Sequence, residues 1–256
     1  MLNYYIAQTQ RLLQNPGAPV SLYSTADITS YVNVARGQIA GEGRCIRRIG
    51  TLTTTIGTRM YPFSSIVFTG TGVQGAINVR AILYNVGTGM AWIKGKSWPW
   101  FEFQRLNNPV PTSGAPTEWA QHAQGSAGVG TITNVGAGTM SSGSLWLDPL
   151  PDLAYTLNCD ATCYPTALVA DTDPEAIPYF WSDCVPYFSA YLALMGSQTS
   201  ARIQQAQQLY ALYEQFMARA RDFANPDPNN YAFEQSPDPF KANRLGSGQA
   251  PQQSAG

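Results

Sequence analysis

The chain has 256 residues, enough for one large domain or two small ones, and 44% of them are hydrophobic, as in a folded globular protein. Only 12% are charged, and the formal net charge is −1. This near-neutral charge argues against an overall electrostatic attraction to nucleic acid or to an anionic membrane. A local basic patch is the alternative, and its candidate residues are Arg44, Arg47, Arg48 and Arg59.

The sequence predicts neither a membrane span nor a signal peptide. It has no run of ~18 apolar residues, and residues 1–14 lack a basic region followed by an apolar stretch. We therefore expect the protein to be made in a cytoplasm, where its four cysteines stay thiols. Cys159 and Cys163 fall on one face of a predicted strand, roughly 13 Å apart, which is too far for a disulfide.

Two short amphipathic helices are predicted at the amino-terminal end. Residues 1–14 place apolar side chains on one helical face before Asn-Pro-Gly stops the run. The second helix begins near Ser24 or Thr25, with Asp27 in its first turn, and ends at Gly41 or Gly43.

Residues 51–165 have the texture of an all-β region. Thr, Val, Ile, Tyr and Trp alternate with polar residues between clusters of turn formers, which is typical of an antiparallel sandwich or barrel. A loop is expected over residues 107–131. The predicted strands include residues 77–83, 131–135, 144–147 and 155–163.

Helices return after residue 165. The run Asp173-Pro174-Glu175 predicts a helix start, and a second helix restarts after Asp183. The strongest prediction is a helix over residues 199–224, whose apolar residues form two adjacent rows wider than one core contact needs. Such a helix is either sunk in its own core or shared between that core and a neighbouring subunit. The interface candidates are Tyr210, Tyr213, Phe216 and Met217.

The predicted fold is therefore α+β: a helical bundle formed by both ends of the chain, with an inserted antiparallel β-sandwich or barrel-like region. Residues 1–50 and 166–225 form the helical domain, residues 51–165 the β domain, and residues 226–256 an extended tail. The tail is rich in Pro, Asn, Gln, Gly and Ser, so we expect it to be disordered on its own.

The motifs that could carry chemistry fail on inspection. Gly70–Gly75 matches GxGxxG but precedes strand-like residues, and the P-loop-like Gly95-Lys-Ser97 has Met90 where the first glycine is required. The only histidine, His122, provides neither a triad partner nor a zinc ligand set. We expect no enzymatic activity, no cofactor and no metal. The six tryptophans fill cores and interfaces or, alternatively, form a stacking platform for sugars or bases.

Two motifs resemble those of the head-to-tail adaptor (neck) proteins of short-tailed bacteriophages. Asn33, Ala35, Arg36 and Gln38 match the family's N-x-A-R-x-Q helix, which precedes a β insertion. The segment Asp183-Cys-Val-Pro-Tyr-Phe-Ser-Ala-Tyr191 resembles the family's helix after the insertion, and a long terminal helix follows it. The resemblance covers roughly residues 24–225.

The resemblance implies a structural virion protein assembled in the host cytoplasm. Such adaptors form a homo-oligomeric ring, usually of twelve, between the portal protein and the tail nozzle, and line the channel for DNA ejection without sequence recognition. The tail is expected to bind the portal through Tyr231, Phe233, Phe240, Lys241 and Arg244. The alternatives are another β-rich tail structural protein and a carbohydrate-binding tail module.

Overall fold

A computed structural model describes residues 1–14, 22–85, 90–107, 112–122, 143–196 and 199–224. Within these ranges the chain is α+β, with helical ends and a curled sheet between them, as predicted. The helices are α1 (Leu2–Leu12), α2 (Thr25–Gly43), α3 (Trp98–Asn107), α4 (Tyr179–Ser182), α5 (Cys184–Met195) and α6 (Ser200–Ala224). The strands are β1 (Arg47–Thr53), β2 (Met60–Pro62), β3 (Val67–Phe68), β4 (Val73–Asn85), β5 (Met90–Gly95), β6 (Glu118–His122), β7 (Ser144–Asp148) and β8 (Thr156–Pro165).

The described strands form one eight-stranded sheet in the order β2-β7-β6-β5-β4-β8-β1-β3. Neighbouring strands are antiparallel, except that β5 and β6 run parallel. The long central pair, β4 with β8, changes register between Val73 and Gly75, between Ala76 and Asn78, and between Val79 and Ala81. Such irregularities bend a strand and increase its twist, so the single sheet curls as in the barrel-like alternative.

Helix α5 lies at the centre of the helical part, in contact with α1, α2 and α6. Its sequence is apolar nearly all round, as expected of a helix buried on most sides. Helix α2 begins with the predicted cap: Ser24 and Asp27 form a reciprocal capping box. It ends at Gly43, and Arg44 takes the left-handed conformation after it, with φ of 48°.

One hydrophobic core joins the helices to the sheet. It includes Val32 of α2, Leu157 of β8 and Tyr213 of α6, which are all almost fully buried. The close fit is clearest at Gly43, where a β-carbon would lie 2.5 Å from the ring of Trp181. The helical and β parts of the described chain therefore pack as one unit.

Three predictions of local structure were wrong. Residues 98–107 were predicted to belong to the β region, but they form helix α3. Pro99 fits the first turn of a helix, where its missing N–H is not needed. Part of the predicted loop after residue 107 is strand β6, since Trp119 and Ala120 are buried between β5 and β7. Residues 173–175 are not helical, because Asp173 accepts backbone N–H groups from the preceding turn instead. The predicted strand at 131–135 lies outside the described residues.

Candidate interaction surfaces

The first motif of the resemblance forms a buried network of hydrogen bonds and one ion pair around Arg36, which we call the polar clamp. The side chain of Arg36 is fully buried and pairs with Glu175, with a shortest N–O distance of 2.8 Å. It also donates to Asn33 at 3.2 Å and to the carbonyl of Thr166 at 2.7 Å. The amide of Asn33 in turn donates to the Leu168 carbonyl at 3.0 Å and accepts the Leu168 N–H at 2.8 Å. These residues hold α2 against the segment that returns from the sheet, so the motif is structural.

The second motif builds the contact between α5 and α6. Tyr187 stacks on Phe216 with ring centroids 4.8 Å apart. Further along α5, the ring of Tyr191 lies 5.0 Å from that of Tyr210. The aromatic spacing of this motif therefore fixes how the long terminal helix lies on the bundle.

The four residues predicted at a subunit interface fall on two sides of α6. Tyr213 and Met217 are almost fully buried in the chain's own core. Tyr210 and Phe216 are half-buried, and both contact rings of α5: Phe216 stacks on Tyr187, and Tyr210 is tilted against Tyr191. On the same helix Leu212 is 38% exposed and Phe223 is 65% exposed, so part of α6 leaves apolar surface outside the core.

An aromatic surface lies at the carboxyl end of α6. We define it by Tyr179, Phe180 and Phe223, whose side chains are 78%, 58% and 65% exposed. The rings of Phe180 and Phe223 stack 5.6 Å apart, and Tyr179 contacts Phe180 edge-on at 6.1 Å. Tyr179 and Phe180 were not predicted from the sequence as surface residues of this kind. The signal was the run Tyr-Phe-Trp in a single turn of helix, of which only Trp181 reaches the core.

A second surface feature is a groove along α2, with a volume of about 620 Å³. It runs past Val34, Gly37 and Gly41 and is closed on its other side by Tyr164 and Pro165 at the end of strand β8. A β-carbon built on either Gly37 or Gly41 has no neighbour within 4 Å. Glycine inside a helix costs about 0.5–1 kcal/mol relative to alanine. The packing of the described chain gives no reason for that cost.

The tryptophans do not form an open platform within the described chain. Trp119 and Trp181 are buried in the core. Trp98 packs edge-on against Trp146 at 5.1 Å and also contacts His122. The remaining two are Trp92, whose ring is 59% exposed, and Trp100, which lies under the Lys96 ammonium. The arrangement of these rings in the described chain does not favour the carbohydrate-binding alternative.

The arginine patch is partly neutralised. Arg47 pairs with Asp160, and Arg59 pairs with Asp148 at 3.0 Å. Arg44 and Arg48 remain exposed. The chain therefore presents little concentrated positive charge at this place for a phosphate backbone to bind.

The cysteines are free thiols, as predicted, and burial raises the pKa of all four to about 12. Thiols of this kind are poor nucleophiles because almost none is ionised at neutral pH. No group of His, Cys, Asp or Glu side chains suited to a metal ion occurs among the described residues. None of the described helices is long and apolar enough to cross a membrane. The predicted portal-binding residues, Tyr231 to Arg244, lie outside the described ranges.

Exposed apolar patches on a folded chain commonly mark protein–protein contacts, which are the contacts that a structural protein makes. Comparison with known protein families matches residues 5–232 to the model for the SU10 adaptor protein. The chain therefore belongs to the SU10 adaptor protein family, that is, to the structural adaptor proteins of bacteriophages. No curated protein matches the chain.

Proposed function

We propose that the protein is a head-to-tail adaptor that forms a ring between the portal protein and the tail nozzle and lines the DNA channel. The observation that carries the proposal is the family match over residues 5–232, which spans both the helical part and the sheet. Assembly takes place in the host cytoplasm, and the ring then becomes part of the virion neck.

The surface of the chain is consistent with repeated contacts between copies. Part of α6 faces outward with apolar side chains, and the aromatic surface continues it at the carboxyl end. The subunit interface on α6 accordingly uses Phe216 and its exposed neighbours Leu212 and Phe223, whereas Tyr213 and Met217 support the helix from inside. Exposed apolar patches of this kind commonly mark protein–protein contacts.

The low charge suits a channel through which DNA must slide. Each phosphate contact by a lysine or arginine adds affinity, so a lumen crowded with unpaired basic groups would hold the DNA. With 15 basic and 16 acidic residues, the chain is nearly neutral. Contacts with passing DNA are therefore weak and independent of base sequence.

The portal anchor is the tail, residues 226–256, which follows α6. Tyr231, Phe233 and Phe240 are spaced irregularly, which suits an extended segment that places separate aromatic side chains into pockets. Lys241 and Arg244 add charged contacts. Ordering of such a segment on binding is common among regulatory and assembly interactions.

The proposal is tested by native mass spectrometry of the purified protein, alone and with the portal protein of the same phage. We expect a closed ring, of about twelve copies by the family resemblance, bound to the portal. Deletion of residues 226–256 should leave the circular dichroism spectrum of the body unchanged and weaken portal binding by orders of magnitude. A protein that stays monomeric with and without portal would refute the ring, and unchanged affinity of the truncated chain would place the anchor on the body.

A further inference from the structure

The aromatic surface is large enough to form the apolar centre of a protein–protein contact. An aromatic side chain buries ~200 Å² when fully covered, so the exposed fractions of Tyr179, Phe180 and Phe223 leave on the order of 400 Å² of ring surface uncovered. A standard interface buries about 800 Å² on each partner, with an apolar core and a polar rim. The aromatic surface thus supplies about half of one side.

The α2 groove has the complementary shape. Gly37 and Gly41 lie one turn apart on the same helical face, and the exposed side chain of Val34 lies one turn before Gly37. A β-carbon at either glycine would have no neighbour within 4 Å. The helix backbone is therefore accessible here to a side chain from outside the described chain. Small residues on a helix are used where another chain must approach the backbone closely.

A charged side chain lies beside each of the two surfaces, Arg219 beside the aromatic surface and Glu42 beside the groove, and these two charges have opposite signs. Arg219 lies between Phe216 and Phe223 on the exposed side of α6, with its guanidinium 5.8 Å from the Phe216 ring. Glu42 lines the end of the groove and accepts a hydrogen bond from the Tyr213 hydroxyl at 2.7 Å. Neither charge has an ion-pair partner within the described part of the chain. A contact between the two surfaces can therefore have complementary electrostatics.

We propose that the aromatic surface of one copy docks into the α2 groove of a second copy. The inference rests on the proposed ring and names the surfaces that would form it. The two surfaces share no residue, so each copy can bind one neighbour with its aromatic surface and another with its groove. A contact between two different patches of the same chain is the kind that closes into a ring when the rotation permits.

Two double variants separate the surfaces. Gly37→Leu with Gly41→Leu fills the groove. It should keep the monomer folded because the added side chains enter open space and leucine favours a helix. Phe180→Ser with Phe223→Ser removes the exposed aromatic rings. Trp92→Ser is the matched control, since it removes a ring that is 59% exposed on β5, outside both surfaces.

Analytical ultracentrifugation with circular dichroism as a folding check gives the readout. We expect each double variant alone to sediment as a folded monomer, with apparent affinity for itself reduced at least ~100-fold, and the Trp92→Ser control to form rings. An equimolar mixture of the two double variants should form one-to-one dimers and nothing larger, because each retains one competent surface.

The outcomes distinguish the inference from the proposed function. If the filled-groove variant forms rings like the unmodified protein, or if the mixture gives no dimer, the two surfaces do not contact each other and the inference is overturned. In either case the rings of the unmodified protein leave the adaptor proposal standing. If the unmodified protein itself forms no ring with or without portal, both the proposed function and this inference are refuted.

Discussion

Replacement of Arg36 by methionine should strongly destabilise the protein. The guanidinium is fully buried, and its partner Glu175 is only 10% exposed, so the substitution leaves a carboxylate in the interior without its cation. Removal of one member of a buried ion pair typically costs about 3–5 kcal/mol. The substitution also leaves the carbonyl of Thr166 without the donor at 2.7 Å. For a chain of this size, this loss corresponds to a fall in melting temperature of roughly 6–20 °C.

The assay is urea denaturation followed by tryptophan fluorescence and by circular dichroism at a concentration where the protein is monomeric. Arg48→Met is the matched control, because Arg48 is exposed and, among the described residues, donates only to the backbone carbonyl of Arg47. It should change the free energy of unfolding by less than about 0.5 kcal/mol. Arg36→Lys should also be destabilised, since an ammonium cannot reproduce the forked contact with Glu175.

The double variant Arg36→Met with Glu175→Leu tests the physical reason. Once both charges are gone, no ion remains buried, so the double variant should lose less stability than the sum of the two single variants. The backbone N–H of Ile177 still loses its acceptor, so some loss persists. A loss below about 1 kcal/mol for Arg36→Met, or strict additivity in the double variant, would refute this account of the clamp.

Three further predictions concern two glycines, one aspartate and the four cysteines. Gly43→Ala should lose about 1–3 kcal/mol, because the new methyl group meets the Trp181 ring at 2.5 Å, whereas Gly41→Ala should be neutral or stabilising in thermal melts of the monomer. Backbone N–H groups of Ala170 and Val169 hold the pKa of Asp173 below its ordinary value of 3.8. The carboxylate therefore contributes stability that is present above that pH and lost as the pH falls through its folded-state pKa. The stability difference between the unmodified protein and Asp173→Ala should shrink below pH ~4, and a constant difference would argue against this. A thiol reagent at pH ~8 should find no fast-reacting cysteine in the folded protein and four after unfolding, since burial raises each pKa to about 12.

Local patterns determined most of the helices and the central strands. The capping box at Ser24 and the apolar periodicity of α2 depend on residues within a few positions of each other, so they can be read in order along the chain. The same holds for α6 and for the alternation in β8. Strand β6 was missed because it is five residues long and is stabilised by pairing with β5 and β7.

The roles of individual side chains were decided only by the tertiary structure. The sequence showed two apolar rows on α6, but which of their residues are buried depends on where α5 and α2 lie. This placement buries Tyr213 and leaves Phe223 exposed. Likewise, Asp173 and Glu175 have the residue types of a helix start. Instead, Asp173 accepts a hydrogen bond from the preceding turn, and Glu175 pairs with Arg36, 139 positions away in the chain. These partners compete with the local helix for the two side chains. In the sequence, Gly37 and Gly41 are indistinguishable from ordinary helix residues, and only the fold shows the open space beside them.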